Sequence, residues 1–548
     1  MKQIILTIFL LIASLPALAQ VQQLEAWWID TGETDSTGLG TACAPLGDIN
    51  GDGLNDFLVG TWNEEAFVYF GSEEPDTIPR LRIPSPSDSV FWFGMNLFNI
   101  GDINADEGED FAVGAWISDV PIDHQIVYVY FGGGVLDSIP DLVLDGGEND
   151  YSYFGSSGIS VGDFNGDGGN DFLILDSEYL INQSPELIKG RLSVFYGGDI
   201  LDSIPDWEIS ASEYFTRIGG DAALLGDINE DGYDDFVMVD SYCQGPQAQE
   251  KAGIMAIYYG GVQPDTLANL IVYGDHEYAW LGKSVDAIDF DSNGQKDIVV
   301  GGSNNLSSEY LSAVYVYLVS ENMDDQPDFI FPDSGNPGLG TGNGIFGMDI
   351  NGDGWQDIVS ANSWNIFMAG QIYVYLGGAD PDTLLDAEYY QSNIDAGLGS
   401  GACNAGDINN DSIDDLIVGE QGYNQFYTGN LWGRIHVILG DTSYHQSVGI
   451  FPQQYPSVPS SLLFLRAYPN PFNAEVTFEI ESLRSGYKTL KIYNLRGEIV
   501  REFKLANGVS KVTWDGKADT GISYSSGIYI VRVSDSKEKT TKKVVLLK

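Results

Sequence analysis

Residues 48–60 carry the densest chemistry in the chain: Asp-Ile-Asn-Gly-Asp-Gly-Leu-Asn-Asp-Phe-Leu-Val-Gly. Oxygen side chains fall on alternate positions, Asp48, Asn50 and Asp52, and Asp56 follows after the backbone carbonyl of Leu54. A hard divalent cation takes about six to eight oxygens, and alternate residues of a tightly coiled loop can all point inward, so the spacing reads as a calcium loop. Gly53 stands where such a loop must turn sharply. The twelfth position is Val59 rather than a bidentate Glu, and Phe-Leu-Val-Gly after Asp56 has no helical period. The loop is therefore expected to join two strands.

The unit returns six times, at intervals of 54 to 64 residues. The second copy offers Asp102, Asn104, Asp106 and Asp110, and the third Asp163, Asn165, Asp167, the Gly169 carbonyl and Asp171. The fourth offers Asp227, Asn229, Asp231, the Tyr233 carbonyl and Asp235; the fifth Asp289, Asp291, Asn293, the Gln295 carbonyl and Asp297. The sixth has Asp349, Asn351, Asp353, the Trp355 carbonyl and Asp357, and the seventh Asp407, Asn409, Asp411, the Ile413 carbonyl and Asp415. Three copies depart from the pattern. Glu107 and Ser412 stand where the turn glycine belongs, and Asn293 replaces a carboxylate. Weaker or water-filled coordination is expected at the second, fifth and seventh loops.

Stepping outward along each repeat, a buried run such as 56–60 follows the loop, then a variable polar stretch, then an alternating strand such as Phe67-Val68-Tyr69-Phe70, then an outer run such as 81–83. Four strand-forming runs bounded by Gly, Asn and Asp predict a four-stranded antiparallel sheet. Such a sheet has two apolar faces, and radial packing of several sheets buries both while leaving only short edges. Seven repeats predict an all-β, seven-bladed β-propeller. The seventh repeat ends near Ile438 without a fourth strand, while an orphan apolar run at 23–29 precedes the first, so the N-terminal run is expected to complete the last blade. The stretches between second and third strands vary most in length and hold or adjoin Trp62, Trp116, Tyr179, Tyr242, Trp364, Tyr423, Phe426 and Trp432. Aromatics on rigidly held loops suit sugars or protein partners.

The chain of 548 residues has 80 acids against 25 basic residues, a net charge of −55. That excess argues against nucleic acid as a partner, and 43% hydrophobic residues argue against a disordered acidic tail. Lys2, an apolar run at 4–12 and Ala17-Leu18-Ala19 have the three parts of a secretory signal peptide, with cleavage expected after Ala19. No later run is long enough to span a bilayer as a helix. Export suits low-affinity calcium sites, which need near-millimolar calcium. Of three cysteines, Cys43 and Cys403 precede the first and seventh loops by five and four residues. On regular strands that offset places them on opposite faces, and free thiols are expected. His124, His276, His436 and His445 have no partners at metal-ligand spacing, and no Gly-x-Ser-x-Gly elbow exists. An enzyme is not expected; the competing reading is a secreted polysaccharide lyase or hydrolase using the ring as scaffold.

The segment 466–548 changes character, holding 15 of the 25 basic residues and nine of the 80 acids beyond a Pro-rich junction. Runs at 476–480, 490–494, 511–514 and 528–533 read as strands of a small sandwich. The repeated Gly-Asp-Ile-Asn-Gly-Asp-Gly-x-x-Asp followed by Phe-x-Val-Gly resembles the FG-GAP repeat of integrin alpha subunits and their bacterial relatives. That resemblance implies calcium loops between the first two strands of each blade and ligands on the opposite rim. Tyr468-Pro469-Asn470-Pro471-Phe472, Asn494-Leu495-Arg496-Gly497, Trp514-Asp515-Gly516, Ser526-Gly527-Ile528-Tyr529 and the terminal Lys-Lys-Val-Val-Leu-Leu-Lys resemble the C-terminal sorting domain of type IX secretion substrates. A plain immunoglobulin-like module is the runner-up for this tail. The resulting division is a signal peptide at 1–19, a propeller at 20–440, a linker at 441–462 and an immunoglobulin-like sorting sandwich at 463–548. The expected product is a secreted or cell-surface recognition or adhesion module for protein or glycan, handled by the type IX machinery through its tail.

Overall fold

The computed structural model describes residues 21–546 apart from 32–37, 120–121, 148–152, 178–189, 199–200, 211–217, 247–248, 305–310, 321–322, 324, 333–343, 364–369, 380, 391–396, 423–432, 446–462, 469–474, 483–487, 495, 497–498, 506–510, 519–523 and 535–538. All regular elements among the described residues are strands. The chain forms two compact units, Met1–Pro452 and Gln453–Lys548. The signal-like run at 1–20 lies outside the described residues.

The first unit holds seven sheets with their strands in chain order. In the first, Cys43–Gly47, Asp56–Gly60, Glu65–Tyr69 and Leu81–Pro84 pair as an antiparallel meander. Second strands such as Asp56–Gly60, Asp171–Asp176 and Asp235–Asp240 are buried at every residue, because each sheet is covered on both faces by its neighbours. This burial explains why these runs are continuously apolar rather than alternating. The residue after each loop's last acid packs on the third strand. Phe57 stacks on Tyr69 at 5.2 Å, Phe111 on Tyr130 at 5.1 Å, Phe172 on Phe195 at 5.1 Å and Phe236 on Tyr258 at 5.4 Å. Each such cross-strand pair contributes about 0.5–1.5 kcal/mol beyond its area and fixes the acid beside it.

The innermost strands lie side by side in order: Cys43–Gly47, Val90–Gly101, Phe154–Gly162, Asp221–Gly226, Val285–Ile288, Gly344–Met348 and Leu398–Gly406, with the last returning to the first. Hydrogen bonds follow the same circuit. Asn96 donates to the Gly155 carbonyl (3.0 Å), Ser157 to Asp221 (3.2 Å), the Gly347 N–H to Asp286 (2.8 Å), Asn404 to the Gly347 carbonyl (3.1 Å) and Ser400 to the Gly40 carbonyl (2.8 Å). The sheets therefore close on themselves as a propeller.

Closure uses the N-terminal strand, as the missing strand of the seventh repeat predicts. Trp28–Thr31 pairs antiparallel with Arg434–Ile438, setting Trp28 opposite Val437. The expected single strand at 23–29 needs correction. Gln22–Gln23 instead pairs in parallel with Ala387–Tyr389, adding a fifth strand to the sixth sheet. The chain runs from the outer edge of one blade to the next, and Leu24, only 1% exposed, fills the core between them.

The second unit has one sheet of Leu463–Tyr468, Val476–Ser482 and Lys511–Trp514, and another of Lys488–Tyr493, Ile499–Leu505, Gly527–Ser534 and Lys539–Leu546. Phe478 and Trp514 from the first share a core with Leu490, Val531 and Leu546 from the second, which makes a sandwich. Four of these strands match the sequence-based expectation; Leu463–Tyr468, Ile499–Leu505 and Lys539–Leu546 are additional.

Candidate metal loops and the rim opposite them

All seven loops adopt one backbone shape. The first aspartate of each accepts an N–H from the sixth position at 2.8–3.0 Å, as Gly53 to Asp48, Glu107 to Asp102 and Ser412 to Asp407 show. The fourth and sixth positions both take left-handed backbone, Gly51 and Gly53 in the first loop, Gly352 and Gly354 in the sixth. The sequence flags the sixth position; the fourth is a finding, hidden because Ala105, Glu230, Ser292 and Asn410 occupy it in other copies at φ of 54–70°. In the second loop Ala105 (φ 61°) and Glu107 (φ 73°) are both strained, and the loop holds its shape nonetheless. A non-glycine residue in this region costs about 1–2 kcal/mol.

The ninth-position acids, with Asp176 and Glu420, are the best-buried carboxylates among the described residues. Asp56, Asp110, Asp171, Asp235, Asp297, Asp357 and Asp415 are all 0% exposed. One oxygen accepts an N–H from within the loop, as Ile49 to Asp56 at 3.1 Å and Ile350 to Asp357 at 3.0 Å. The other accepts the N–H that ends the third strand: Gly71, Gly132, Gly197, Gly260, Val319, Gly377 and Gly440, at 2.7–2.9 Å. Each acid thus ties its loop to the far strand of its own blade. Burial, helped by neighbouring loop carboxylates, pushes these acids up, to about 7 for Asp56, Asp110, Asp171, Asp235 and Asp415, about 6 for Asp297 and about 8 for Asp357. Their backbone hydrogen bonds pull the other way without cancelling burial.

The second, third, sixth and seventh loops also bond to the next blade. The carbonyl at the second position accepts an N–H from the neighbour's third-strand end, Ser72 to Ile408 at 2.7 Å and Gly261 to Phe164 at 2.8 Å. The first-position carbonyl accepts from the neighbour's eighth position, Asn55 to Asp407 at 3.0 Å and Asp234 to Asp163 at 3.1 Å. The first of each pair joins the seventh blade to the first. Gly406 holds left-handed backbone (φ 68°), and a methyl group there would meet the Asn55 amide at 1.8 Å and push that side chain aside, so the seam favours glycine.

The donor set fits a hard divalent cation. Each loop offers carboxylate and backbone carbonyl oxygens, and a carboxylate oxygen accepting one N–H keeps a second acceptor site. The amide nitrogens of Asn50, Asn351 and Asn409 face Asp56, Asp353 and Asp411 at 3.0–3.1 Å, and these side chains would turn their oxygen inward to join the donor set. In the fifth loop Asp289, Asp291 and Asp297 bring carboxylate oxygens within 4.8 Å of one another. That loop has an acid at its third position, where the other six have Asn. In the third loop Asp163 Oδ1 is buried without a hydrogen-bond partner. Like charges crowded in this way need a counter-charge.

The opposite ends of the second strands differ from blade to blade. Among the aromatics singled out in the sequence, Trp62 is 47% exposed, Tyr242 54%, and Trp116 is half-buried; Tyr179, Trp364, Tyr423, Phe426 and Trp432 lie outside the described residues. Sequence reading missed Trp92, 52% exposed at φ 58°, which meets Trp116 edge-on at 5.1 Å. The run Phe91-Trp92-Phe93 before Gly94 was its available signal. His436 is buried in its blade, bonded to Tyr389 (2.8 Å) and to Glu420 (2.8 Å). Cys43, Cys243 and Cys403 are free thiols, Cys43 half-buried and the others buried; burial pushes Cys43 up to about 12.

With this geometry in hand, comparison with known proteins gives a consistent class. Residues 349–441 match the FG-GAP-like repeat and residues 466–547 the secretion system C-terminal sorting domain. Integrin alpha-5 of Xenopus laevis is 29% identical over 232 residues, 40% of this chain and 21% of the relative. Phosphatidylinositol-glycan-specific phospholipase D of Bos taurus is 26% identical over 261 residues, 43% of this chain and 29% of the relative. The chain thus spans about a fifth to under a third of these relatives' length. The solved structure of PorZ of Porphyromonas gingivalis aligns at 12% identity and a TM-score of 0.25 over 90% of this chain and 74% of its own, too slight a likeness to argue from. The molecule is an all-β protein with an FG-GAP-like segment at 349–441 and a secretion-system sorting domain at 466–547. Its tail marks it as an exported protein, at the cell surface or released. No helix among the described residues is long and apolar enough to cross a membrane.

Proposed function

We propose that this protein is a calcium-stabilised extracellular recognition or adhesion module, delivered by type IX secretion machinery that reads its C-terminal sandwich. The observation that carries the reading is the recurrence of one acid-bearing loop in every blade, each tied to the third strand of its own sheet, with three carboxylates converging in the fifth. The ligand residues would be the first, third, fifth and ninth side chains and the seventh carbonyl of each loop, in the numbering given above. Extracellular sites of this kind bind at roughly 0.1–1 mM, so about millimolar calcium adds on the order of 0.4–1.4 kcal/mol per site. The same division of the chain follows: 1–19 removed on export, 20–440 the ring, 441–462 a linker, 463–548 the sorting domain. Similarity to integrin alpha chains supports a binding role, and the similarity to phosphatidylinositol-glycan-specific phospholipase D, of comparable coverage, keeps a secreted enzyme as the alternative.

The test is binding of the exported chain to arrayed proteins and glycans at 2 mM calcium and after chelation, where the calcium level is set at roughly the extracellular range. The reading expects calcium-dependent capture of a defined ligand class. Turnover of a polysaccharide pool without stable capture would replace it with the enzyme reading.

A further inference from the structure

A cavity of about 630 Å³ opens where the inner strands of the seventh, first, second and third blades meet. Its volume lies within the roughly 300–1,000 Å³ of small-ligand sites. Its walls include Met95, Asn96, Asn99, Ser156, Ser400 and Gln421, and no charged side chain among the described residues lines it. In a chain of net charge −55 that is a local exception. Asp221, bonded to the wall residue Ser157, is itself engaged, accepting from Ser157 Oγ (3.2 Å) and from the N–H groups of Ala222 (3.0 Å) and Val285 (3.2 Å).

The cavity is continuous with exposed aromatics. Gln421 in its wall accepts a hydrogen bond from the Trp62 indole N–H at 3.1 Å. Met95–Asn99 in the same wall belong to Val90–Gly101, the strand that carries Trp92, and its pairing with the second strand breaks between Phe91 and Asn96. The break forces Trp92 into left-handed backbone, where it projects half-exposed against Trp116. A β-bulge of this kind re-aims a side chain at the cost of pairing. Gly94 in the break packs on the first blade at the Glu65 carbonyl, three residues from Trp62, so the two tryptophans share one side of the ring.

Resting on the recognition reading above, we propose that this mouth binds a neutral oligosaccharide, with pyranose faces on Trp62 and Trp92 and hydroxyls meeting the amides of Gln421 and Asn96. Sugars have apolar C–H faces and uncharged hydroxyls, so they match exposed indoles beside a wall of amides and hydroxyls. Cations lack a carboxylate there and anions lack a basic group, which selects against charged glycans and charged peptides.

The test titrates the full exported chain, at 2 mM calcium as above, with cellohexaose, laminarihexaose, chitohexaose and mannohexaose, and with hexagalacturonate as charged control, reading tryptophan fluorescence and calorimetric heat. Binding by at least one neutral hexasaccharide, weakened at least about tenfold in both Trp62→Ala and Trp92→Ala with unchanged melting temperature, is the expected result; a tenfold loss is the usual scale for removing a central aromatic anchor. Trp92→Gly keeps the left-handed backbone and serves as the variant that folds if alanine does not. Equal binding by hexagalacturonate, or wild-type affinity in both tryptophan variants, overturns the assignment. Capture of an arrayed protein with no oligosaccharide binding also overturns it, and leaves the recognition reading standing.

Discussion

The two ends of the blades have been built under different constraints. At the loop end, seven copies share one backbone, with the ninth-position acid of each accepting the N–H past the third strand at 2.7–2.9 Å. At the other end, the second-to-third connections run from the short turn after Gly60 to stretches of a dozen residues or more, with exposed Trp62, Trp92 and Tyr242 on different blades. The uniform end joins blades through its loop carbonyls, and the variable end joins some of them through the bridges Leu39 to Gly433, Gly253 to Leu281 and Gly370 to Leu398. What differs between the ends is therefore the length and composition of the connections rather than the presence of contacts between blades.

Removing the cation should break this contrast most severely. Chelation of the full chain is expected to lower its melting temperature by several degrees or more, since the sites together supply on the order of 3–10 kcal/mol. The pH dependence should invert at the same time. Without metal, the ninth-position acids hold their protons in the folded state up to about 7, whereas unfolded aspartate ionises near about 4. The folded chain then binds more protons than the unfolded one across that window, so the chelated ring loses stability as pH rises from about 4 to about 7. With calcium bound the slope is reversed, because protonation expels the ion. Parallel melting curves in the two conditions would contradict the assignment of these acids to metal.

Next in size, Asp357→Ala leaves the Ile350 and Gly377 N–H groups without acceptors inside the sixth blade and should cost about 2–5 kcal/mol, measured by denaturant unfolding. A cost below about 1 kcal/mol would mean the acid does not tie the loop to the sheet. Glu107→Gly should go the other way, stabilising by about 1 kcal/mol by relieving left-handed strain, and should tighten calcium at the second loop. Tyr242→Ala, on the variable end under Lys251 at 5.1 Å, should change stability by less than about 1 kcal/mol and leave calcium affinity unaltered. A larger effect would show that the two ends are coupled.

The sequence made the loop end legible because each requirement there is a residue type at fixed spacing: acids two apart, Asp before Phe, glycine at the sixth position. The closing strand Trp28–Thr31 was legible through a deficit, the seventh repeat being one strand short. The role of the third-strand terminus was written as a recurrent glycine, though Val319 in the fifth blade breaks the pattern because the bond uses only its N–H. The fifth loop shows the limit of counting acids by position: Asn293 marked it as weak, yet Asp291 in the third position produces the convergence of three carboxylates. The pairing of Gln22–Gln23 with the sixth blade rests on two residues and a parallel register, which leave no periodic trace. Trp92 was hidden for a related reason, since a broken register reverses the face that alternation would assign.

The most direct measurement is the number of calcium ions held by the full chain, by equilibrium dialysis with metal analysis at saturating calcium. The account predicts between four and seven ions per chain, and one fewer in Asp349→Ala, whose carboxylate organises the sixth loop through the N–H groups of Asp353 and Gly354. Fewer than four ions, or an undiminished number in that variant, would contradict it.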